Sequence, residues 1–178
     1  KRFKGGVHVA AADVTGDKKA DIITAAGAGG TAHVIAFDSS NGKAVLSFNA
    51  FDDGFKGGAS IATGDVTGDG KVDIMEANGW WEQPKSLDGD PVWTKHEAKF
   101  GTGGAQMYVY DVNGDGLNDV ITAVAAHGYG LVWHEQVKQN GEITFKEHVI
   151  LNKQTEQNKT PDPNNYGVVF SQLHAVDL

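Results

Sequence analysis

Residues 65–73 read Asp65-Val66-Thr67-Gly68-Asp69-Gly70-Lys71-Val72-Asp73, and the fold turns on this stretch. Side-chain oxygens fall at the first, third, fifth and ninth places, and Gly70 at the sixth permits a sharp turn. A hard cation such as Ca²⁺ takes six to eight oxygen ligands, so it needs a short loop that wraps around it. The backbone carbonyl of Lys71, at the seventh place, would join the set, and Asp73 could bind with both oxygens. The first half of the loop has the form of an EF-hand. Its surroundings do not: strand-like residues follow where an EF-hand continues as a helix, so the loop joins two strands.

Working outward, residues 55–74 read FKGGASIATGDVTGDGKVDI, and residues 3–22 read FKGGVHVAAADVTGDKKADI, identical at thirteen of twenty positions. A third copy at 103–121 reads GGAQMYVYDVNGDGLNDVI. The leading aspartates Asp13, Asp65 and Asp111 are spaced by 52 and 46 residues. A period of that size marks propellers and related arrays, in which each repeat is one supersecondary unit. Within the first unit, Val7 to Val14 enters the loop as a strand and Ala20 to Ala26 leaves it. Ala32 to Phe37 follows as the third strand and, after the Ser40-Asn41-Gly42-Lys43 turn, Ala44 to Phe48 is the fourth. The third unit repeats this with Tyr108 to Val112, Asp119 to Val124, Leu131 to Gln136 and, past Asn140-Gly141, Glu142 to Ile150. The second is shorter and ends with Trp93 to Ala98.

The expected fold is therefore all-β, a β-propeller-type repeat of four-stranded antiparallel blades. It has about three blades, over 5–50, 57–98 and 103–150, plus the start of a fourth. Residues 151–165, polar with two prolines, form a loop, and 166–178 (YGVVFSQLHAVDL) open the further blade. Since a closed propeller needs at least four blades, the expectation is a piece of a longer propeller or a protomer that self-associates into a ring or filament.

The three loops give one set of candidate metal ligands, for about three Ca²⁺ ions. In the first these are Asp13, Thr15, Asp17, the Lys19 carbonyl and Asp21. The second supplies Asp65, Thr67, Asp69, the Lys71 carbonyl and Asp73, and the third Asp111, Asn113, Asp115, the Leu117 carbonyl and Asp119. The twelfth place holds Thr24, Glu76 and Thr122, so only the second loop has the glutamate an EF-hand uses there. All-oxygen ligands disfavour zinc, and magnesium prefers to keep its water. Lys18 stands where the other loops have glycine, so the first site is expected to bind least tightly.

The string GDVTGDGKVDI preceded by FKGG resembles the FG-GAP or VCBS repeat, found in integrin α-subunit propellers and in many secreted bacterial proteins. The resemblance covers nearly the whole chain. It implies a propeller with calcium loops between adjacent strands of a blade, and the ligand residues are those just named. Thr15, Thr67 and Lys18 depart from the fullest acidic form.

Composition agrees with this. The 178 residues suffice for one domain with a core. The 24 glycines are about twice the usual share and point to many tight turns. With 23 acidic and 15 basic residues the formal net charge is −8, a poor match for nucleic acid or an anionic membrane, and three divalent ions would bring it to −2. No apolar run is long enough to span a bilayer, and the absence of cysteine removes disulfides and thiol catalysis.

No G-x-S-x-G or H-E-x-x-H motif occurs, so no catalytic activity is expected; His127 is the best single candidate for chemistry. His96 and His148 sit in similar last-strand settings, which suggests packing. Trp80, Trp81, His127, Tyr129 and Trp133 gather after the second strands of their units. Such aromatics either pack between blades or stack on sugars. The expected function is a secreted, calcium-binding structural or adhesive repeat acting outside the cell or at its surface, with an extracellular protein or glycan as partner. The alternative is a lectin-like carbohydrate-binding propeller.

Overall fold

The computed structural model of the chain describes residues 4–51, 54–89, 91–101, 106–123 and 130–151. Among these, every regular element is a strand, and no helix is long and apolar enough to cross a membrane. The strands form three four-stranded antiparallel meanders. The first holds β1 (Val7–Ala12), β2 (Asp21–Ala26), β3 (His33–Phe37) and β4 (Ala44–Asn49). The second holds β5 (Ala62–Gly64), β6 (Asp73–Glu76), β7 (Gly79–Glu82) and β8 (Thr94–Glu97). The third holds β9 (Met107–Tyr110), β10 (Asp119–Ala123), β11 (Leu131–Gln139) and β12 (Glu142–Leu151). Each aspartate loop joins the first two strands of its sheet, as its strand-like flanks require. The expected further blade at 166–178 and nearly all of the expected 151–165 loop lie outside the described residues; Leu151 itself ends β12.

Most strand ends fall where the loops place them. β1 stops at Ala12, two residues short of the expected Val14, because Asp13 already turns its carboxylate onto the loop backbone. The two Asn-Gly turns differ. Asn140 and Gly141 both take positive φ (53° and 85°), the two-residue hairpin geometry. In the first sheet only Gly42 does (φ 71°), because Asp38 organises a longer turn. Its carboxylate accepts from the Ser40 N–H and hydroxyl and the Asn41 amide, which lowers its pKa below the usual carboxylate range.

The sheets pack face to face in series, with one apolar cluster at each of the two seams. At the first, Val14, Ile23, Val34 and Leu46 meet Ile61, Ile74 and Trp93. At the second, Ala62, Val66, Met75, Trp80 and Phe100 meet Met107 and Val120. The opening strands β1, β5 and β9 lie side by side along a cleft of ≈ 460 Å³. Gly64 is required there, since a Cβ would collide with Val109 on β9. In the second FKGG string a glycine is required for a similar reason. Gly58 (φ 76°) lies against the Gly27 backbone, where any side chain would collide, and neighbouring main-chain bonds (Ala59 N–H to Ala26 O, 3.0 Å; Gly29 N–H to Lys56 O, 2.7 Å) tie the two sheets together.

A polar clasp repeats at both seams. The Gln83 amide donates to the Val14 carbonyl (2.7 Å), and the Gln136 amide to the Val66 carbonyl (2.9 Å). Each glutamine is buried and follows the third strand of one sheet, or lies within it, while its acceptor is the second residue of the preceding sheet's aspartate loop. At the second seam Asn118 and Lys138 also donate to the neighbouring carbonyls of Asp65 and Thr67. Losing one partner of a buried hydrogen bond leaves the other unsatisfied, at a cost of about 1–3 kcal/mol. Gln136→Ala is therefore expected to lower stability by about 2 kcal/mol in chemical denaturation, and a surface substitution such as Glu142→Ala by far less.

Candidate metal sites in the aspartate loops

All three loops adopt one backbone conformation. The fourth-place glycines Gly16, Gly68 and Gly114 have φ between 76° and 78°. At the sixth place Gly70 and Gly116 have φ of 83° and 85°, and Lys18 is forced to 68°. A left-handed lysine costs about 1–2 kcal/mol, partly offset by the unfolded-state freedom a glycine would regain. Lys18→Gly is accordingly expected to stabilise the protein by ~0.5–1 kcal/mol, read as a rise in melting temperature.

The first-place aspartates hold these loops closed. Asp13 accepts from the N–H groups of Gly16, Asp17 and Lys18; Asp65 from Gly68, Asp69 and Gly70; Asp111 from Gly114, Asp115 and Gly116. The fifth-place residues Asp17, Asp69 and Asp115 each accept the N–H two residues on, from Lys19, Lys71 and Leu117. At the third place the Thr15 hydroxyl is buried without a hydrogen-bond partner, the Thr67 hydroxyl lies 3.4 Å from Asp65, and Asn113 accepts from the Asp115 N–H.

The ninth-place aspartates have a bonding role within the sheet that the sequence does not display. Asp21, Asp73 and Asp119 are fully buried, and both oxygens of each accept backbone N–H groups. One oxygen takes Val14 and Thr15, Val66 and Thr67, or Val112. The other takes the N–H of Ser39, Gln83 or Gln136, in the segment that follows or continues the third strand. These carboxylates rivet the loop to its own sheet. Burial holds the Asp73 carboxyl above the usual range even though three N–H groups favour its charged form.

The loops differ in charge. Lys71 sets its ammonium 2.8 Å from Asp69, which lowers the Asp69 pKa and raises that of Lys71. Lys19 lies 3.6 Å from Asp17, and the third loop has neutral Leu117 at that place. Among the described residues no three His, Asp or Glu side chains converge as a metal-holding group. The oxygens that fit a hard cation are thus a mixed set: carboxylates at the first and fifth places, hydroxyl or amide at the third and a carbonyl at the seventh.

The candidate ligand-binding aromatics divide. His127 and Tyr129 lie outside the described residues. Trp80 is 3 % exposed and stacks on His96 (3.9 Å between ring centroids), whose Nε2 is 2.8 Å from Glu82. Trp133 repeats this with His148 (4.4 Å) and Glu135 (2.6 Å), which lowers the Glu135 pKa. These are cross-strand pairs at the same register, so the two histidines share a packing role. Trp81 borders a cavity at the seam with the first sheet.

No protein-family model matches the chain, and no curated protein matches it. Residues that sequence reasoning passed over are Gln83 and Gln136. Their signal is the shared W-x-E-Q string at Trp80–Gln83 and Trp133–Gln136, which aligns the third strands of two units.

Proposed function

We propose that the chain is a run of calcium-stabilised β-propeller blades of FG-GAP type with a structural or adhesive role outside the cell. The observation that carries the reading is the threefold recurrence of one loop conformation, with oxygen donors at the same places and φ at the fourth-place glycines agreeing within 2°. Turn-forming alone needs no such agreement. The ligands would be Asp13, Thr15, Asp17 and the Lys19 carbonyl; Asp65, Thr67, Asp69 and the Lys71 carbonyl; and Asp111, Asn113, Asp115 and the Leu117 carbonyl. Asp21, Asp73 and Asp119 would frame the sites. A bound Ca²⁺ would neutralise the loop's carboxylates and tie them together. Two carboxylates per site suit the weak binding of extracellular modules, with dissociation constants of about 10⁻⁴–10⁻³ M.

The end faces support continuation by further sheets. Ile22 is 47 % exposed on the first sheet, whereas its counterparts Ile74 and Val120 are fully buried by a preceding sheet. Val112 in the third loop is 40 % exposed, whereas Val14 and Val66 are covered by the following sheet. A unit carrying a glutamine at the place of Gln83 and Gln136 would fit against Val112. The first sheet has Ser39 there, too short for the clasp, which favours a further unit of the Gln type over a second copy of this chain. The deciding experiment is thermal unfolding with and without calcium after chelation; an unchanged melting temperature rejects the reading.

A further inference from the structure

In a repeat array, residues that serve the fold recur from unit to unit, and the exceptions here gather at one place. The seam between the first and second sheets holds a cavity of ≈ 330 Å³ lined by Asn49, Ala50, Phe51, Asn78, Trp81 and Lys95. Counted from the paired strands, Ala50 holds the position of Phe100, whose ring fills the next seam against His134 (5.3 Å) and Phe145 (4.8 Å). Trp81 stands where the other sheets have Phe37 and His134. Glu76, fully buried beside this seam, replaces Thr24 and Thr122.

We propose that this seam cavity binds one neutral sugar residue. The volume is at the lower end for small-ligand sites, about 300–1,000 Å³. Trp81, packed at 4.4 Å on Phe48, and Phe51 supply rigid apolar surface for the C–H face of a pyranose. Asn78 and Lys95 also line the cavity, and would offer an amide and an ammonium to hydroxyls. Lys95 is held by three neighbours: Glu97 at 3.1 Å, the Glu76 carboxylate at 3.8 Å and the Trp81 ring at 5.9 Å. Glu76 is itself anchored by the Asn78 N–H (2.9 Å), and burial raises its pKa to about 7. The ammonium is thus both positioned and balanced in charge, so the site offers an anion no net pull and offers a polyol a fixed donor. The inference rests on the seam alone and is independent of the calcium reading.

Intrinsic tryptophan fluorescence and calorimetry, in calcium-containing buffer, with glucose, galactose, mannose, N-acetylglucosamine, lactose and cellobiose will test it. Glucuronate and choline serve as charged comparators. Saturable binding of at least one neutral sugar is expected. Ala50→Phe, which fills the cavity as Phe100 fills the next seam, and Asn78→Ala, an exposed position, should each weaken it about tenfold, roughly 1.4 kcal/mol. Asn78→Ala should leave the melting temperature unchanged, so it carries the test if Ala50→Phe disturbs packing. Absence of binding by every neutral sugar, binding of only the charged comparators, or neutral-sugar binding unchanged in Asn78→Ala overturns the proposal.

Discussion

Asp73→Ala is expected to destabilise the protein by about 4 kcal/mol in calcium-free buffer. The carboxylate is fully buried and accepts three backbone N–H groups, from Val66, Thr67 and Gln83. Alanine leaves all three donors without this partner, two of them buried, each at about 1–3 kcal/mol. The damage also spreads across the second seam. The Val66 carbonyl holds the Gln136 clasp from the third sheet, and Gln83 holds Val14 of the first. Asp73→Asn keeps one acceptor oxygen but turns an NH₂ toward a donor, so a loss of about half that size is expected. Asp69→Ala is the contrast. Asp69 is exposed and its partners are the ammonium and the solvent-accessible N–H of Lys71, so without calcium its removal should change stability little. Urea titration of the three variants decides this. Equal losses for Asp69→Ala and Asp73→Ala would show that the ninth-place carboxylate is an ordinary loop residue.

That division of labour among the aspartates is what the sequence could not display. The three-sheet architecture was legible because thirteen identities between the first two units fix the strand-loop-strand frame, and because the Asn-Gly turn at Asn140-Gly141 closes a hairpin without further help. The sharp turn of the loops was legible too, since glycine at the fourth place of all three and at the sixth of two permits the positive φ that other residues disfavour. A ninth-place aspartate looks the same in sequence whether it binds a cation or an N–H group. The second rivet partners are backbone groups at Ser39, Gln83 and Gln136, 10 to 18 residues away, and these become neighbours only once the third strand returns alongside. The clasp glutamines are further still from their acceptors, 69 and 70 residues along the chain. Trp80 was ambiguous for a related reason: an aromatic on a strand can face solvent or a seam, and the choice is made by His96 on the neighbouring strand and by the third sheet beyond it. The first Asn-Gly turn misled because Asp38, three residues before Asn41, accepts enough local hydrogen bonds to select a longer loop.

Calcium should raise the melting temperature of the chelator-treated protein, and the gain should be unequal among the loops. A ligand that binds only the folded state stabilises it by RT ln(1 + [L]/Kd), about 0.4–1.4 kcal/mol per site in millimolar calcium for a Kd of about 10⁻⁴–10⁻³ M. Three such sites would contribute on the order of 1–4 kcal/mol, a sizeable share of the stability of a domain this size. Charge sets the order. The third loop has neutral Leu117 at the seventh place and no lysine within the loop, so a cation at Asp111 and Asp115 meets no competing ammonium from the loop itself. In the second, Ca²⁺ must displace Lys71 from Asp69, and in the first it meets both Lys19 and the left-handed Lys18. Asp115→Ala should therefore remove more of the calcium-induced gain than Asp69→Ala, and Asp69→Ala more than Asp17→Ala. Lys71→Leu should bring the second loop toward the third. Calorimetry resolving three equal sites would overturn the ranking while leaving the metal reading intact, whereas identical unfolding curves in EDTA and in millimolar calcium would remove the metal reading itself. In that case the aspartates would be explained by the backbone N–H groups they already hold.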